Sequence, residues 1–152
     1  MTISELESKL LAEGCNKHRF AIGARGMADD AFCLVQKNGK WEVFYTERGC
    51  DSSPIFSAES ETEACAFFYR HILSLEHWHI VGSFLDEADA VKLEARVREL
   101  GAVPIRNDVK CFTGKRDDRY RVFVVGKDIF PVRNGILGVP LGINWKGERL
   151  SE

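Results

Sequence analysis

Two hydrophobic runs rich in aromatic and β-branched residues flank Asn38-Gly39 and predict a β-hairpin over residues 31–48. Asn-Gly favours the positive φ angles of a two-residue type I′ turn. If Lys37 pairs with Lys40, one face carries Gln36 opposite Trp41, Leu34 opposite Val43, and Phe32 opposite Tyr45. We expect this aromatic face to be buried. The other face is mixed and needs only a smaller or partly hydrated cover; it carries Cys33, Val35, Glu42 and Phe44.

Apolar residues at helical spacing predict two principal helices and a short N-terminal one. Residues 56–63 form a helix start with Ser60 at the N-cap and Glu63 three positions later, and the helix then runs to residue 75. Its broad apolar face should pack on the aromatic face of the hairpin. A second helix, residues 86–100, has Asp86 as its cap and Gly101 as its stop. The short helix covers residues 2–14.

The remaining strands follow from short apolar segments. Residues 19–23 form a short strand, and residues 79–84 and 103–105 flank the second helix in a βαβ unit whose two strands run parallel. Residues 109–112 and 120–125 predict a wider hairpin with a polar tip at 113–119. Residues 129–131 and 136–137 predict a closing strand or hairpin around Asn134-Gly135, and residues 146–152 a loose tail.

These elements predict an α+β fold with a mixed, largely antiparallel sheet, two principal helices and a short N-terminal helix. A chain of 152 residues fits one domain with an adequate core. A subdivision into residues 1–76 and 77–145 is the alternative. The sequence lacks a long apolar window and a basic, apolar leader, which predicts a cytoplasmic protein without a membrane span.

Charge is distributed unevenly along the chain. Residues 29–63 contain eight acids and three bases, a net of −5, while residues 106–121 contain six bases and three acids, a net of +3. The whole chain has a formal charge of −2. We therefore expect the first half to present an acidic surface and the second half a basic one.

The candidate catalytic groups do not assemble into a recognisable motif. His71, His77 and His79 could share a metal, but His71 falls on an apolar helix stripe and the stretch offers few further ligands. Cys50 lies between Gly49 and Asp51 without a nucleophile signature. The five cysteines show no C-x-x-C spacing. We predict no enzyme activity, no metal site and no cofactor; a small enzyme built on Cys50 or the histidines is the third-ranked alternative.

The basic segment 106–121, with Phe112 and Tyr120, combines cations for phosphate with aromatic rings for stacking. Its net excess is small, the sequence pI is near 6.1, and no nucleic-acid-binding motif accompanies it. Nucleic acid is therefore an unlikely partner on this pattern, and an RNA-associated or regulatory module using this hairpin is the second-ranked function.

Two sequence segments resemble a family. Residues 41–49, WEVFYTERG, and 56–65, FSAESETEAC, are similar to segments of small immunity proteins from bacterial polymorphic toxin and contact-dependent growth inhibition systems. The resemblance covers residues 19–76. It implies a non-catalytic antitoxin in the bacterial cytoplasm, whose partner is the C-terminal toxin domain of a large secreted protein.

Toxins of this kind are often nucleases with cationic clefts, so the resemblance implies binding through an acidic surface, by active-site block or by docking beside the active site. Glu59, Glu61 and Glu63 alternatively serve the helix dipole, and Glu47 can be structural. The candidate toxin-binding residues are Asp29, Asp30, Glu47, Asp51, Glu59, Glu61 and Glu63.

Overall fold

A computed structural model describes residues 1–110 and 118–136. The chain divides into two compact units, the first ending at His77 and the second beginning at Trp78. The described residues form four α-helices and eight strands in mixed, largely antiparallel sheets. The predicted α+β class is confirmed, although the strands form two sheets, one in each unit, where the sequence predicted one.

The central hairpin of the first unit has the predicted register. Strands β2 (Ala31–Lys37) and β3 (Lys40–Glu47) pair antiparallel, with Lys37 opposite Lys40 and Phe32 opposite Tyr45. Both turn residues, Asn38 and Gly39, have positive φ, at 50° and 79°. The Asn-Gly signal was therefore sufficient to predict both the turn and the facing of the strands.

Three further strands complete the first sheet. Strand β1 (Phe20–Gly23) pairs parallel with β2, while β4 (Cys50–Asp51) and β5 (Phe56–Ala58) both pair antiparallel with β3. The last segment corrects the prediction that residues 56–63 are a helix start, because the chain first pairs with β3 and only then enters the helix.

The two faces of this sheet have different covers. Helix α2 (Glu61–Leu73) buries Phe68 and Ile72 in a core that includes Leu34 and Val43 of the hairpin, as predicted. On the other face, a small cluster is packed by alanines of β1 and of the connector 24–30; its members are Cys33, Val35, Phe44, Ala21 and Ala28. The expectation of a smaller cover on this face is confirmed.

The predicted helix ends are observed with small shifts. Helix α1 (Ile3–Ala12) follows Thr2, whose backbone N–H donates to Glu5 Oε2 at 3.0 Å. It ends in a Schellman motif at Gly14, φ 78°, where the amides of Gly14 and Cys15 donate to the carbonyls of Leu11 and Leu10. Ser60 caps α2 by accepting from the Glu63 amide at 3.4 Å.

The second unit contains a three-stranded sheet. Strand β6 (Trp78–Phe84) leads into α3 (Glu87–Glu99), which Asp86 caps, and then into β7 (Ile105–Arg106). Strand β8 (Tyr120–Val125) pairs antiparallel with both, so β6 and β7 run parallel, as predicted, with β8 between them. Of the predicted wider hairpin, β8 and a bridge between Val109 and Arg119 are observed, and residues 111–117 lie outside the described residues.

The predicted closing strand or hairpin is wrong over residues 129–136. Residues Ile129–Gly135 form helix α4, with Ile129, Val132 and Ile136 buried at helical spacing. Pro131 is tolerated because the first helical turn needs no backbone donor. At Gly135, an added Cβ would lie 2.3 Å from Leu100 Cδ2, so this glycine permits close packing where a hairpin turn was predicted. Leu137 and residues 146–152 lie outside the described residues.

Candidate functional site

The seven candidate acids separate into two groups along β3. Asp29, Asp30, Glu47 and Asp51 lie at the end of this strand, where Glu47 pairs with Cys50. Glu59, Glu61 and Glu63 follow β5, whose Ala58 pairs with Trp41 near the start of β3. Six residues of strand separate these pairings, which corresponds to about 20 Å. The acids therefore form two local surfaces.

At the first surface, Asp30 is held by two side chains. Its carboxylate accepts hydrogen bonds from the Tyr45 hydroxyl and from Arg19 Nη1. The Tyr45 hydrogen bond, with a further contribution from Arg19, lowers the pKa of Asp30, and the same bond raises the pKa of Tyr45 to about 12. Asp30 is thus an anchored carboxylate paired with a cation.

Asp51 is anchored in the same way by the connector. Arg25 Nε donates to Asp51 Oδ1 at 2.7 Å and to the hydroxyl of the fully buried Thr46 at 3.2 Å. A hydrogen bond from Thr46, followed by the contribution of Arg25, lowers the pKa of Asp51. This arrangement ties the connector to the end of β3.

The turn between β3 and β4 is held by the remaining aspartate. Asp29 Oδ1 accepts from the backbone N–H of Arg48 at 2.5 Å. Arg48 and Gly49 have φ values of 50° and 77°, which make a second two-residue turn with Arg where Asn or Gly is usual. Asp30 also has φ 50°. We name Arg19, Arg25, Asp29, Asp30, Tyr45, Thr46, Arg48 and Asp51 the anchored cluster.

The anchored cluster contains two arginines that were not included when charges were counted over residues 29–63. Arg19 and Arg25 lie outside the acidic window 29–63, yet parallel pairing of β1 with β2 and the fold of the connector bring them onto its aspartates. No periodicity or motif in the sequence marks this pairing. The net of −5 for that window therefore does not describe the surface at the end of β3.

An open groove borders the anchored cluster. Its volume is about 400 Å³, Phe20 and Ala21 contribute apolar lining, and Lys17 and Arg25 contribute charge. Met27, at the same groove, is fully exposed. Arg25 itself is half-buried, and methionine and arginine are both enriched at protein contact surfaces.

The second surface, at the start of α2, is more acidic. Glu59 and Glu63 are exposed, and no described side chain forms an ion pair with either carboxylate. Glu61 differs because its Oε1 accepts from the Ile3 backbone N–H, at 2.8 Å, at the first turn of α1. Of the three glutamates, Glu61 is therefore a structural cap, and Glu59 and Glu63 are free to meet a partner.

The histidines occupy separate environments. His77 is buried, with Nδ1 accepting from the Asn16 amide at 3.0 Å and Nε2 donating to the Ile72 carbonyl at 2.8 Å. His71 lies on α2 against Phe32 and Phe67, whereas His79 belongs to β6 of the second unit. Within residues 1–110 and 118–136, no group of three or more potential ligands is placed to hold a metal ion.

The described cysteines differ in exposure. Cys15, Cys33 and Cys65 are buried; burial raises the pKa of Cys15 to about 11 and also raises the pKa values of the other two. Cys50 is exposed on β4 opposite Glu47. Cys111 lies outside the described residues.

The basic segment divides between the two faces of the second sheet. Arg106 turns toward α3 and forms ion pairs with Glu94 at 3.0 Å and Asp108 at 2.8 Å. Hydrogen bonding to Asp108 raises the pKa of Arg106, and the same bond lowers the pKa of Asp108. Arg121 belongs to the opposite face, because it alternates with the buried Val122 along β8.

Comparison of this chain with protein-family models, curated proteins and solved structures finds no match. Across the part of the chain that the structure describes, no helix combines the length and apolar character needed to cross a bilayer.

Proposed function

We propose that this chain is a non-catalytic immunity protein of the bacterial cytoplasm. In this proposal it binds the C-terminal toxin domain of a large secreted protein and neutralises it without chemistry of its own. The toxin is a nuclease with a cationic cleft. The sequence resemblance over residues 19–76 motivates the proposal, and the surface charge of the first unit supports it.

The observation that carries the proposal is the uneven neutralisation of the acids. Residues 1–77 contain 12 acids and 8 bases, a net charge of −4. Asp30 and Asp51 are paired with arginines, whereas Glu59 and Glu63 remain exposed at the start of α2. Free carboxylates accelerate encounter with a cationic partner, because long-range attraction acts before contact.

The two local surfaces suit different tasks. Glu59 and Glu63 provide attraction at a distance, and the anchored cluster with Met27 provides a preorganised contact surface of fixed hydrogen-bonding groups. Preorganisation reduces the entropy lost on binding, which favours the tight complex that an inhibitor needs.

The proposal predicts that the gene immediately upstream encodes the toxin domain, and capture of that domain is the direct test. Co-expression should protect the host cell, and the tagged chain should co-purify with the toxin domain. Failure of capture, with both proteins folded, would contradict the proposal.

Charge reversal then tests the steering surface. The variant E59K/E63K should lower the association rate roughly tenfold at about 0.01 M salt and much less at about 0.5 M salt, because salt screens long-range attraction. The control is D89K/E99K, which makes the same charge change at exposed positions of α3 in the second unit. Equal slowing in both double variants would place the steering surface elsewhere.

A further inference from the structure

Among the residues that the structure describes, no core cluster covers one face of the sheet in the second unit. Val122 and Val124 of β8 are fully buried with residues of α3 and α4. The alternating residues Arg121, Phe123 and Val125 must therefore point to the opposite side. We name this opposite side the open face; the residues that carry it are Trp78, Ile80, Ile105, Arg119, Arg121, Phe123 and Val125.

Aromatic and aliphatic side chains form the centre of the open face. Phe123 lies opposite Ile80 on β6 and Ile105 on β7. The Trp78 ring meets the Phe123 ring edge-on, with centroids 5.4 Å apart. Ile80 is 55% exposed. The exposed Ile80 side chain and the half-buried rings beside it form one continuous apolar strip on this face.

The charged residues of the open face are cations. The Arg121 guanidinium lies 5.2 Å from the Phe123 ring centroid, and its Nε donates to the Asn107 carbonyl at 2.8 Å. Arg119 alternates onto the same side through its bridge with Val109. The nearby Asp108 carboxylate is already paired with Arg106 and accepts from the Arg121 backbone amide.

We propose that the open face binds single-stranded nucleic acid. The planar groups of this face, Trp78 and the Arg121 guanidinium near the Phe123 ring, are half-buried. Their faces fit those of unpaired bases, and Arg119 with Arg121 complements the phosphates. Duplexes fit poorly because their bases are already stacked inside the helix. The small net charge of segment 106–121 made nucleic acid an unlikely partner on sequence grounds, but the cations that matter are those on this face.

Charge and planarity together favour single-stranded nucleic acid over the other candidate occupants of the open face. An acidic protein would be attracted by Arg119 and Arg121 but would gain nothing specific from flat stacking groups. A second copy of the chain would bring the same cations against themselves, which opposes a face-to-face dimer. The inference concerns the second unit and is independent of the proposed toxin-binding surfaces of the first.

The test uses the full chain and a fluorescently labelled single-stranded oligouridylate of about twelve nucleotides. Fluorescence anisotropy should show saturable binding that weakens roughly tenfold between about 0.05 M and about 0.2 M salt, as expected for two or three phosphate contacts. An unlabelled duplex of the same length should compete poorly. Absence of saturable binding at low salt, or equal competition by the duplex, would overturn the proposal.

Matched substitutions locate the binding site. Ile80→Glu places a carboxylate on the open face and should weaken binding about tenfold. Val91→Glu makes the same change of charge on α3 at a side chain of similar exposure, 51% against 55%, and should leave affinity unchanged. Circular dichroism should show that both variants are folded. Equal loss of affinity in the two variants would refute the assignment.

Two further measurements separate the remaining outcomes. Arg121→Gln should weaken binding about tenfold, whereas Arg98→Gln, on α3, should not. Sedimentation at assay concentrations should show a monomer; a dimer that Ile80→Glu dissociates would show that the open face is a self-association surface and overturn the proposal. Toxin capture by the Ile80→Glu variant should be normal, so this inference can fail without affecting the proposed function.

Discussion

At the scale of single residues, side chains with similar chemistry have different surroundings. His77 satisfies both ring nitrogens with backbone groups. His71 has a buried Nε2 with no hydrogen-bond partner among the described residues and is flanked by two phenylalanine rings. His77 therefore links Asn16 to the end of α2. His71 occupies an apolar position, and the free-energy cost of burying its ring grows when the ring is charged.

This difference predicts a specific pH dependence. Burial lowers the pKa of His71, so the unfolded chain binds a proton at higher pH than the folded chain does. The free energy of unfolding should therefore decrease as the pH falls below the ordinary histidine pKa of about 6.5, because protonation of His71 favours the unfolded chain. His71→Phe removes the titrating group and keeps an aromatic ring beside Phe32 and Phe67.

Urea unfolding at about pH 7.5 and about pH 5 provides the measurement. The wild-type chain should lose more unfolding free energy over this interval than His71→Phe does. The control, His18→Gln, removes an exposed histidine and should behave as wild type. A His71→Phe variant with undiminished pH dependence would contradict this account.

At the scale of elements, helix α2 supports the fold and carries the proposed steering surface. Its first turn contains Glu61, which binds the Ile3 amide of α1, and Glu63, which projects into solvent. Alternate residues of one turn therefore have separable tasks. This separation is the reason why E59K/E63K, without Glu61, tests toxin encounter without disturbing the contact between α1 and α2.

The structural task of Glu61 can be measured directly. Glu61→Ala should lower the free energy of unfolding by about 1 kcal/mol, because it removes the acceptor of an otherwise unpaired amide at the start of α1. Glu61→Gln keeps an acceptor oxygen and should recover much of the loss. Glu59→Ala, at an exposed position, should change stability by less than about 0.5 kcal/mol.

Chemical unfolding of these three variants distinguishes the cap from a surface charge. If Glu61→Ala and Glu59→Ala were equally stable, the contact with Ile3 would contribute nothing measurable. If Glu61→Gln were as unstable as Glu61→Ala, the charge of the carboxylate would matter more than its acceptor oxygen.

The sequence predicted those elements whose signals are local. Asn38-Gly39 determined the hairpin register, and Ser60 and Asp86 marked two helix starts, because turns and caps depend on neighbouring residues. The parallel pairing of β1 with β2 lacks such a signal. It depends on a connector of only seven residues, 24–30, much shorter than the crossovers that usually join parallel strands.

Two differences from the sequence prediction have specific physical causes. Asn134-Gly135 has the composition of a hairpin turn, but Ile129, Val132 and Ile136 follow helical spacing, and burial of that stripe outweighs the turn preference. Counting acids along residues 29–63 omits the counter-ions at one end of β3, since Arg25 reaches Asp51 through tertiary folding. Local charge counts predict a surface only where neighbouring elements bring no counter-ions.

At the scale of the whole molecule, charge and core both divide between the units. Residues 1–77 have a net charge of −4, and residues 78–152 contain 13 bases and 11 acids, a net of +2. The described hydrophobic core of each unit is formed from residues of that unit alone. These net charges are opposite in sign to those of the two proposed partners, a cationic toxin for the first unit and a polyanion for the second.

Because each unit has its own core, the first unit should fold alone. Its sheet, both helices and the His77 contacts with Asn16 and Ile72 lie within residues 1–77. Domains of this size bury about 60% of their unfolded surface, which is sufficient for independent but modest stability. We expect the fragment 1–77 to be monomeric, to unfold cooperatively in urea, and to bind the toxin domain as the full chain does.

The boundary of this fragment supplies its own control. Fragment 1–70 removes His71, Ile72 and His77, and with them the buried end of α2 and its link to Asn16, so it should lose cooperative unfolding. Circular dichroism, urea titration and amide exchange at β2 and β3 measure the difference. A fragment 1–77 that behaves like fragment 1–70 would show that the first core needs residues beyond His77. The claim that the first unit folds and binds the toxin independently of the second would then be wrong.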